Sequence, residues 1–383
     1  MTDHTRREFM CLGAATTVVG ITGFSAASTQ ESTDNGWKEA DSPTEATFND
    51  AVNTAQGPFA CGANGNVAAR TQGGWELVVE YGPQARSRRL TGIDVTDDGE
   101  AVWFVGGSGV IGEYNVTTQT LTNYSAPMEM TSTWEDCAVR GNADENERLY
   151  FVNGSGELLV GVRQESGAVQ YNDVIKPGGG STIPGIDFNT REQGHVCSTS
   201  QFVAETYDGG ETWGQIGIDF AGGSFFDIAS QAEDDVNVAA GPGIIYRYDG
   251  FRWTPHVADD EREAIRAVAR EGSEGLAAGD NGKVYERQSA GQWQRFKTPV
   301  EAVLNGVSRG DMYHVAVGAN GTIVERQIAS TDNEETTDAD TASAEELSSS
   351  TLEQTFPEEP LSVENYIEGE WVSNEEDIEL PFS

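Results

Sequence analysis

The sequence predicts an all-β chain folded as a seven-bladed β-propeller, and three observations carry that prediction. Apolar runs meet at tight turns seven times along the chain, six of them at Gly, and the gaps between those turns stay between 39 and 47 residues. An aromatic residue follows six of the seven turns, ten to fifteen residues later. Four short strands in a repeat of this length is the period of a propeller blade.

The clearest turns are Asn64-Gly65, Asn281-Gly282 and Asn320-Gly321, each set between two apolar runs. Asn-Gly in that setting marks a hairpin, because both central residues must take positive φ. Looser versions stand at Ser108-Gly109, Ser155-Gly156, Ser200-Gln201 and Pro242-Gly243. Upstream of each turn lies a short apolar segment such as 48–52, 225–229 or 264–268, the expected inner strand. Downstream, Trp75, Tyr124, Tyr171, Trp213, Trp253 and Trp293 mark the outer strands. The seventh unit runs out after Gln327 without its aromatic. The missing strand is found at the other end of the chain, where Asn35-Gly36-Trp37-Lys38-Glu39 matches Gly73-Gly74-Trp75-Glu76-Leu77. Placed in blade 7, Trp37 closes the ring and removes an edge that would otherwise invite aggregation. The propeller is expected to span residues 36–329.

The two ends differ from the repeat. Arg6-Arg7 precedes an apolar run at 11–24 and the small residues Ser25-Ala26-Ala27. That is the layout of a twin-arginine signal peptide, expected over residues 1–27, with 28–35 as a linker. The run is shorter than the roughly 20 residues a spanning helix needs. Export to the extracellular or cell-surface side is expected, and an uncleaved signal is the one expected route to membrane association. Residues 330–383 hold seventeen Asp+Glu and no Lys or Arg. Most of this acidic tail is expected to be disordered, although aromatics return among the acids at 361–372.

Across 383 residues there are 63 Asp+Glu and 23 Lys+Arg, a formal net charge of -40. Such a field repels a polyanion, which excludes nucleic-acid binding through phosphate neutralisation. Only four of the cations are lysines. Acid-rich, lysine-poor composition suits a protein kept hydrated in molar salt, where the Debye length is about 3 Å. Cys11 leaves with the signal, so Cys61, Cys137 and Cys197 cannot form a full disulfide framework and read as buried apolar residues. The four His are scattered and no metal-ligand spacing occurs, so neither metal nor cofactor is expected.

Two groups of residues qualify as candidate sites. Arg86, Arg88 and Arg89 form the one basic cluster of the mature chain, between blades 1 and 2. They are candidates for docking a carboxylate-bearing partner, against the alternative of local ion pairing. Asp50, Asp94, Asp136, Asp187 and Asp227 fall on five expected inner strands, with Arg266 and Asn305 on the other two. Counted from the hairpins, Asp50 and Asp227 fall one place before Asp94 and Asp187. By period-two alternation they cannot all face the channel, and turn bonding or plain surface acidity is the expectation.

Thr206-Tyr207-Asp208-Gly209-Gly210-Glu211-Thr212-Trp213 fits the Asp-box pattern, and 247–253 is a shortened copy. In such a box Thr206, Asp208, Gly210, Thr212 and Trp213 are structural: the carboxylate satisfies turn N–H groups and the Trp packs between blades. With these motifs the chain resembles Asp-box propellers, most of all the seven-bladed photosystem II assembly/stability-factor type. The resemblance implies an exported, non-catalytic, monomeric scaffold that grips a protein partner. Residues 98–124 instead resemble a repeat of the streptogramin-lyase propellers. The alternative is a glycan-binding or glycan-cleaving (sialidase-like) propeller, or a lyase-type one, without an arginine triad or a lyase His/Glu set to support either.

Overall fold

The computed structural model describes residues 36–218, 220–328, 364–367 and 370–373. The expected signal peptide, the whole of the linker at 28–35 and most of the acidic tail lie outside the described residues.

Each blade grows from its turn. φ is 61° at Asn64 and 73° at Gly65, and the pairs Asn281/Gly282, Asn320/Gly321 and Ser108/Gly109 take the same left-handed values. Space is as demanding as angle here. A Cβ on Gly65 would lie 2.5 Å from the Gly82 nitrogen, so the turn packs beneath the connection to the next blade.

Seven four-stranded antiparallel sheets result. Their inner strands, which define blades 1 to 7, are Phe48–Thr54, Leu90–Val95, Trp134–Asn142, Gly185–Phe188, Phe225–Ala232, Ile265–Glu271 and Leu304–Ser308. In six blades the four strands are consecutive. Blade 7 takes its outer strand, Lys38–Glu39, from the N-terminal side, pairing Lys38 with Glu325 and Glu39 with Val324. The predicted ring closure is therefore present.

The core is divided into seven apolar clusters, one at each blade interface. Phe59, Val67 and Val79 of blade 1, for example, pack on Leu90, Ile93 and Phe104 of blade 2. Cys61, Cys137 and Cys197 are free and buried among such residues. At the 6/7 interface Trp37 is 5% exposed. Its indole N–H donates to Glu286 Oε1 at 3.3 Å, and Arg326 meets the same carboxylate at 2.6 Å. One blade on, the trio repeats: Trp75 donates to Glu325 at 3.1 Å and Arg70 pairs with it at 2.9 Å. Glu113 and Arg163 form the corresponding pair between blades 2 and 3.

Residues 332–383 form a separate unit. Its described part is a hairpin of Glu364–Ile367 and Glu370–Ser373, with Tyr366 opposite Trp371 in register.

Candidate functional site

The inner strands wall a central channel, and their register decides what faces it. Six of the seven carry a β-bulge near their start, between Phe48/Asp50, Leu90/Gly92, Trp134/Asp136, Phe225/Asp227, Ile265/Ala267 and Leu304/Gly306. Beyond the bulge one level of the channel reads Asp50, Gly92, Asp136, Gly185, Asp227, Ala267 and Gly306 around the ring. Two residues further, the next level reads Val52, Asp94, Ala138, Asp187, Ala229, Ala269 and Ser308. A two-residue offset keeps the same face of a strand, so all five aspartates share it. This corrects the expectation that they could not. A count back from the turns cannot settle the facing, because the distance from the first level to the turn residue varies between blades: 15 residues in blade 1, 17 in blade 2, 20 in blade 3 and 16 in blades 4 and 5. The glycines of the first level are required for space: a Cβ on Gly92 would meet Asp136 Oδ1 at 2.5 Å, and one on Gly306 would meet Asp50 Cα at 2.5 Å.

Each aspartate accepts a backbone N–H from the inner strand of the following blade. Asp50 takes Ile93 at 3.0 Å, Asp94 takes Val139 at 2.7 Å and Asp136 takes Ile186 at 3.0 Å. Asp187 then takes Ser230 at 2.7 Å and Asp227 takes Val268 at 2.8 Å. The five carboxylates thus staple blades 1 through 6 in sequence, rather than serving turns or open surface. Asn305 Nδ2 donates to the Phe48 carbonyl at 3.0 Å and makes the staple from blade 7 to blade 1. Arg266 instead pairs with Asp280 at 2.5 Å and lies 5.2 Å from the Phe226 ring centroid.

Burial sets the electrostatics of this channel. It pushes Asp50 up to about 7 and Asp94 up to about 6, and raises Asp136, Asp187 and Asp227 as well. Repulsion between neighbouring carboxylates adds to that rise, from Asp94 on Asp50, from Asp50 and Asp227 on Asp136, and from Asp50 and Asp187 on Asp227, and their backbone hydrogen bonds oppose it. In the second level Arg140 bridges Asp187 at 2.9 Å and Asp94 at 3.5 Å. The sequence pattern by itself does not single out Arg140, yet it lies four residues from Asp136 and shares its parity, the one signal that points to it.

Where the inner strands begin, on the inlet face, the arginine cluster divides. Arg89 donates to Asn49 Oδ1 at 3.0 Å, while Asn49 donates to the Leu90 carbonyl. Arg86 and Arg88 are exposed and pair with no acid among the described residues. Tyr81, 52% exposed, stands on the same connection. No ion pair of Arg86, Arg88 or Arg89 within 4 Å is present among the described residues, although the charge of Arg89 acts on Glu135.

In blade 4, Asp208 Oδ1 accepts the Glu211 and Thr212 N–H groups at 3.0 and 2.9 Å, and Oδ2 accepts the Thr212 hydroxyl at 2.6 Å. Thr206 accepts the Gly210 N–H at 3.0 Å. These bonds hold the Asp208 carboxyl down at about 2. Trp213 stands edge-on to Phe188 in the cluster between blades 3 and 4. The Asp208 carboxylate and the Thr206 hydroxyl are thus spent on their own turn, while the Gly209 carbonyl accepts Arg148 of blade 3.

His195 Nδ1 lies 2.8 Å from Ser230 Oγ, and its Nε2 is 3.9 Å from Glu205. Three such groups suggest a nucleophile, base and orienting acid. However, His195 and Ser230 are 0% and 1% exposed, and burial lowers the imidazole to about 4. Neither side chain lines the cavities at residues 39–45, 51–53 and 95–99.

No protein-family model and no curated protein sequence matches this chain. Solved structures do. YCF48 bound to D1 peptide is 15% identical, with TM-score 0.62 over 78% of this chain and 97% of that one. The virginiamycin B lyase of Staphylococcus aureus is 13% identical, with TM-score 0.63 over 76% and 99%. The WD40 repeats of RRP9 are 12% identical, with TM-score 0.63 over 78% and 99%. Peptide-bound YCF48, a lyase and a WD40 domain are matched about equally well, so what this chain shares with them is the seven-bladed propeller fold.

Proposed function

We propose that this chain is a non-catalytic scaffold that holds an acidic segment of a protein partner on its inlet face. The observation that carries the proposal is the pair Arg86 and Arg88, exposed and without an acid partner among the described residues of a chain of net charge -40. A guanidinium left free amid so much acid is available to a carboxylate, and propeller loops are the usual place for recognition. Tyr81 beside it offers a rigid apolar anchor. The sealed position of Ser230 and the fully committed Asp208 argue against catalysis at those two places. Support also comes from YCF48, whose likeness of fold includes a form bound to a peptide.

The proposal includes export by the twin-arginine route, resting on Arg6-Arg7 and the apolar run behind it, and action in high salt, resting on the acidic composition. Replacing Arg6 and Arg7 by lysine is expected to leave the protein inside the cell; unchanged export would remove that part of the reading. For the docking role, the native chain and an Arg86→Ala/Arg88→Ala variant are compared as immobilised baits at native salt. The expected result is a protein retained by the first and lost from the second, with identical melting of the two baits. Equal capture by both would refute the inlet-face site.

A further inference from the structure

The opposite end of the channel, the outlet face where the inner strands finish, carries a site of different character. Blades 6 and 7 break the stapling pattern: Ala267, Ala269, Gly306 and Ser308 stand where other blades place carboxylates. Their small side chains leave a cavity of about 310 Å³, walled by Asn53 of blade 1, Ala269, Arg270 and Glu271 of blade 6, and Ser308, Arg309 and Asp311 of blade 7. That volume lies within the range of small-ligand sites. An adjoining groove of about 400 Å³ shares Asn53 and Asp311 and runs on past Asp97 and Asp98.

Ser308 is the informative residue. It is 3% exposed, and its hydroxyl has no hydrogen-bond partner among the described residues. A buried hydroxyl left unsatisfied costs roughly 1–3 kcal/mol, so a group that reaches it recovers that penalty. The charge of the walls says which group. Arg309 is held by Glu271 at 3.5 Å and by Glu274, and Arg270 forks away onto Asp235 at 2.7 Å. Asp311 at the rim is exposed and pairs with no described cation. The larger cleft between residues 39–45 and 320–323, about 620 Å³, offers no such orphaned group.

We propose that the outlet half of the channel binds a lysine or arginine side chain of an extended basic peptide, with the peptide backbone lying in the groove beside it. The cationic head enters between blades 6, 7 and 1, donates to Ser308 Oγ, and passes the Asp311 carboxylate at the rim. Asp97 and Asp98 supply further negative charge along the groove. Uncompensated carboxylates deeper in the channel favour the same occupant, because a nearby cation stabilises their ionised form. This site is independent of the inlet-face arginines and calls for a ligand of opposite charge.

The test is calorimetric titration of the full chain with acetyl-Gly-Lys-Gly-amide and, in parallel, acetyl-Gly-Gln-Gly-amide. The lysine peptide is expected to bind one to one, at least about tenfold tighter than the glutamine peptide. Near pH 7 its binding should release protons from the channel, read as a heat that varies with the ionisation enthalpy of the buffer. Ser308→Ala and Asp311→Asn, both mild changes, should each weaken it about threefold or more. The Arg86→Ala/Arg88→Ala variant should bind it like the native chain. Equal affinity for the two peptides, no binding of either, or unchanged affinity in both outlet variants would overturn the proposal.

Discussion

A channel aspartate here is held by two opposed effects. Its backbone hydrogen bonds want the carboxylate ionised, and its burial wants it neutral; for Asp50 and Asp136 burial is the larger cause. The two levels should therefore respond differently to substitution. Asp136→Asn keeps an acceptor for the Ile186 N–H while removing a poorly solvated charge, so stability at pH 7 should stay within about 1 kcal/mol of native. Arg140→Met leaves Asp94 and Asp187 without their shared cation. It should cost about 2–3 kcal/mol, somewhat under the figure for a sealed ion pair because channel water still reaches these groups. Urea titration of the two variants gives the comparison, and equal losses would contradict the assignment of levels. At Asp208, whose bonds all serve one turn, alanine should cost about 1–2 kcal/mol without altering any binding.

Strands and their seams behave as the repeat predicted, with one class of exception. Asn-Gly turns, aromatic outer strands and the returning Trp37 were all legible, because each depends on local chemistry: positive φ at the turn, a large ring at a blade interface. The facing of the aspartates was not legible. It depends on bulges such as Phe48/Asp50 and on hairpin lengths downstream, and neither leaves a residue signature in a single copy of the repeat. Arg140 could be read only after that register was known. The latch of Glu286, Arg326 and Trp37 was half legible: the Trp is in the motif, while its carboxylate comes from the third strand of the blade before. Trp37→Ala should remove about 3–5 kcal/mol and lower the melting temperature by about 6–10 °C. A chain that starts at Ser42 loses the whole strand and should fall further. If that shortened chain melts like the native one, Lys38–Glu39 is not what closes the ring.

For the molecule as a whole, the raised aspartates set an unusual response to pH. Asp50 and Asp94 have folded values near 7 and 6 against 3.8 unfolded, so the native state retains protons that the unfolded chain has released. Stability from this source is complete below about pH 4 and is lost as pH rises through 6 to 7. His195 and His314, lowered to about 4, act the other way between pH 4 and 6.5. Five carboxylates and the general repulsion of a chain at -40 outweigh them. The melting temperature at constant ionic strength should therefore rise on going from pH 8 to pH 5, and a maximum at pH 8 would reverse the conclusion. The same repulsion makes salt a stabiliser: dialysis into dilute buffer should abolish the native circular-dichroism signal, and molar salt should restore it.

Closure of the ring by Lys38–Glu39 also has a kinetic side. Lys38 meets Glu325 across roughly 290 residues of chain, and bringing such distant segments together carries a loop entropy that grows with the logarithm of the separation. The strand made first is the one docked last, since its place does not exist until Ile323–Gln327 has formed. Moving residues 36–41 to follow residue 328 would turn that long closure into a short hairpin. On the logarithmic rule this relieves about 3 kcal/mol of closure cost, and folding should quicken accordingly. The natural order accepts a slow final step, and in return neither end of the propeller can leave the ring without breaking blade 7.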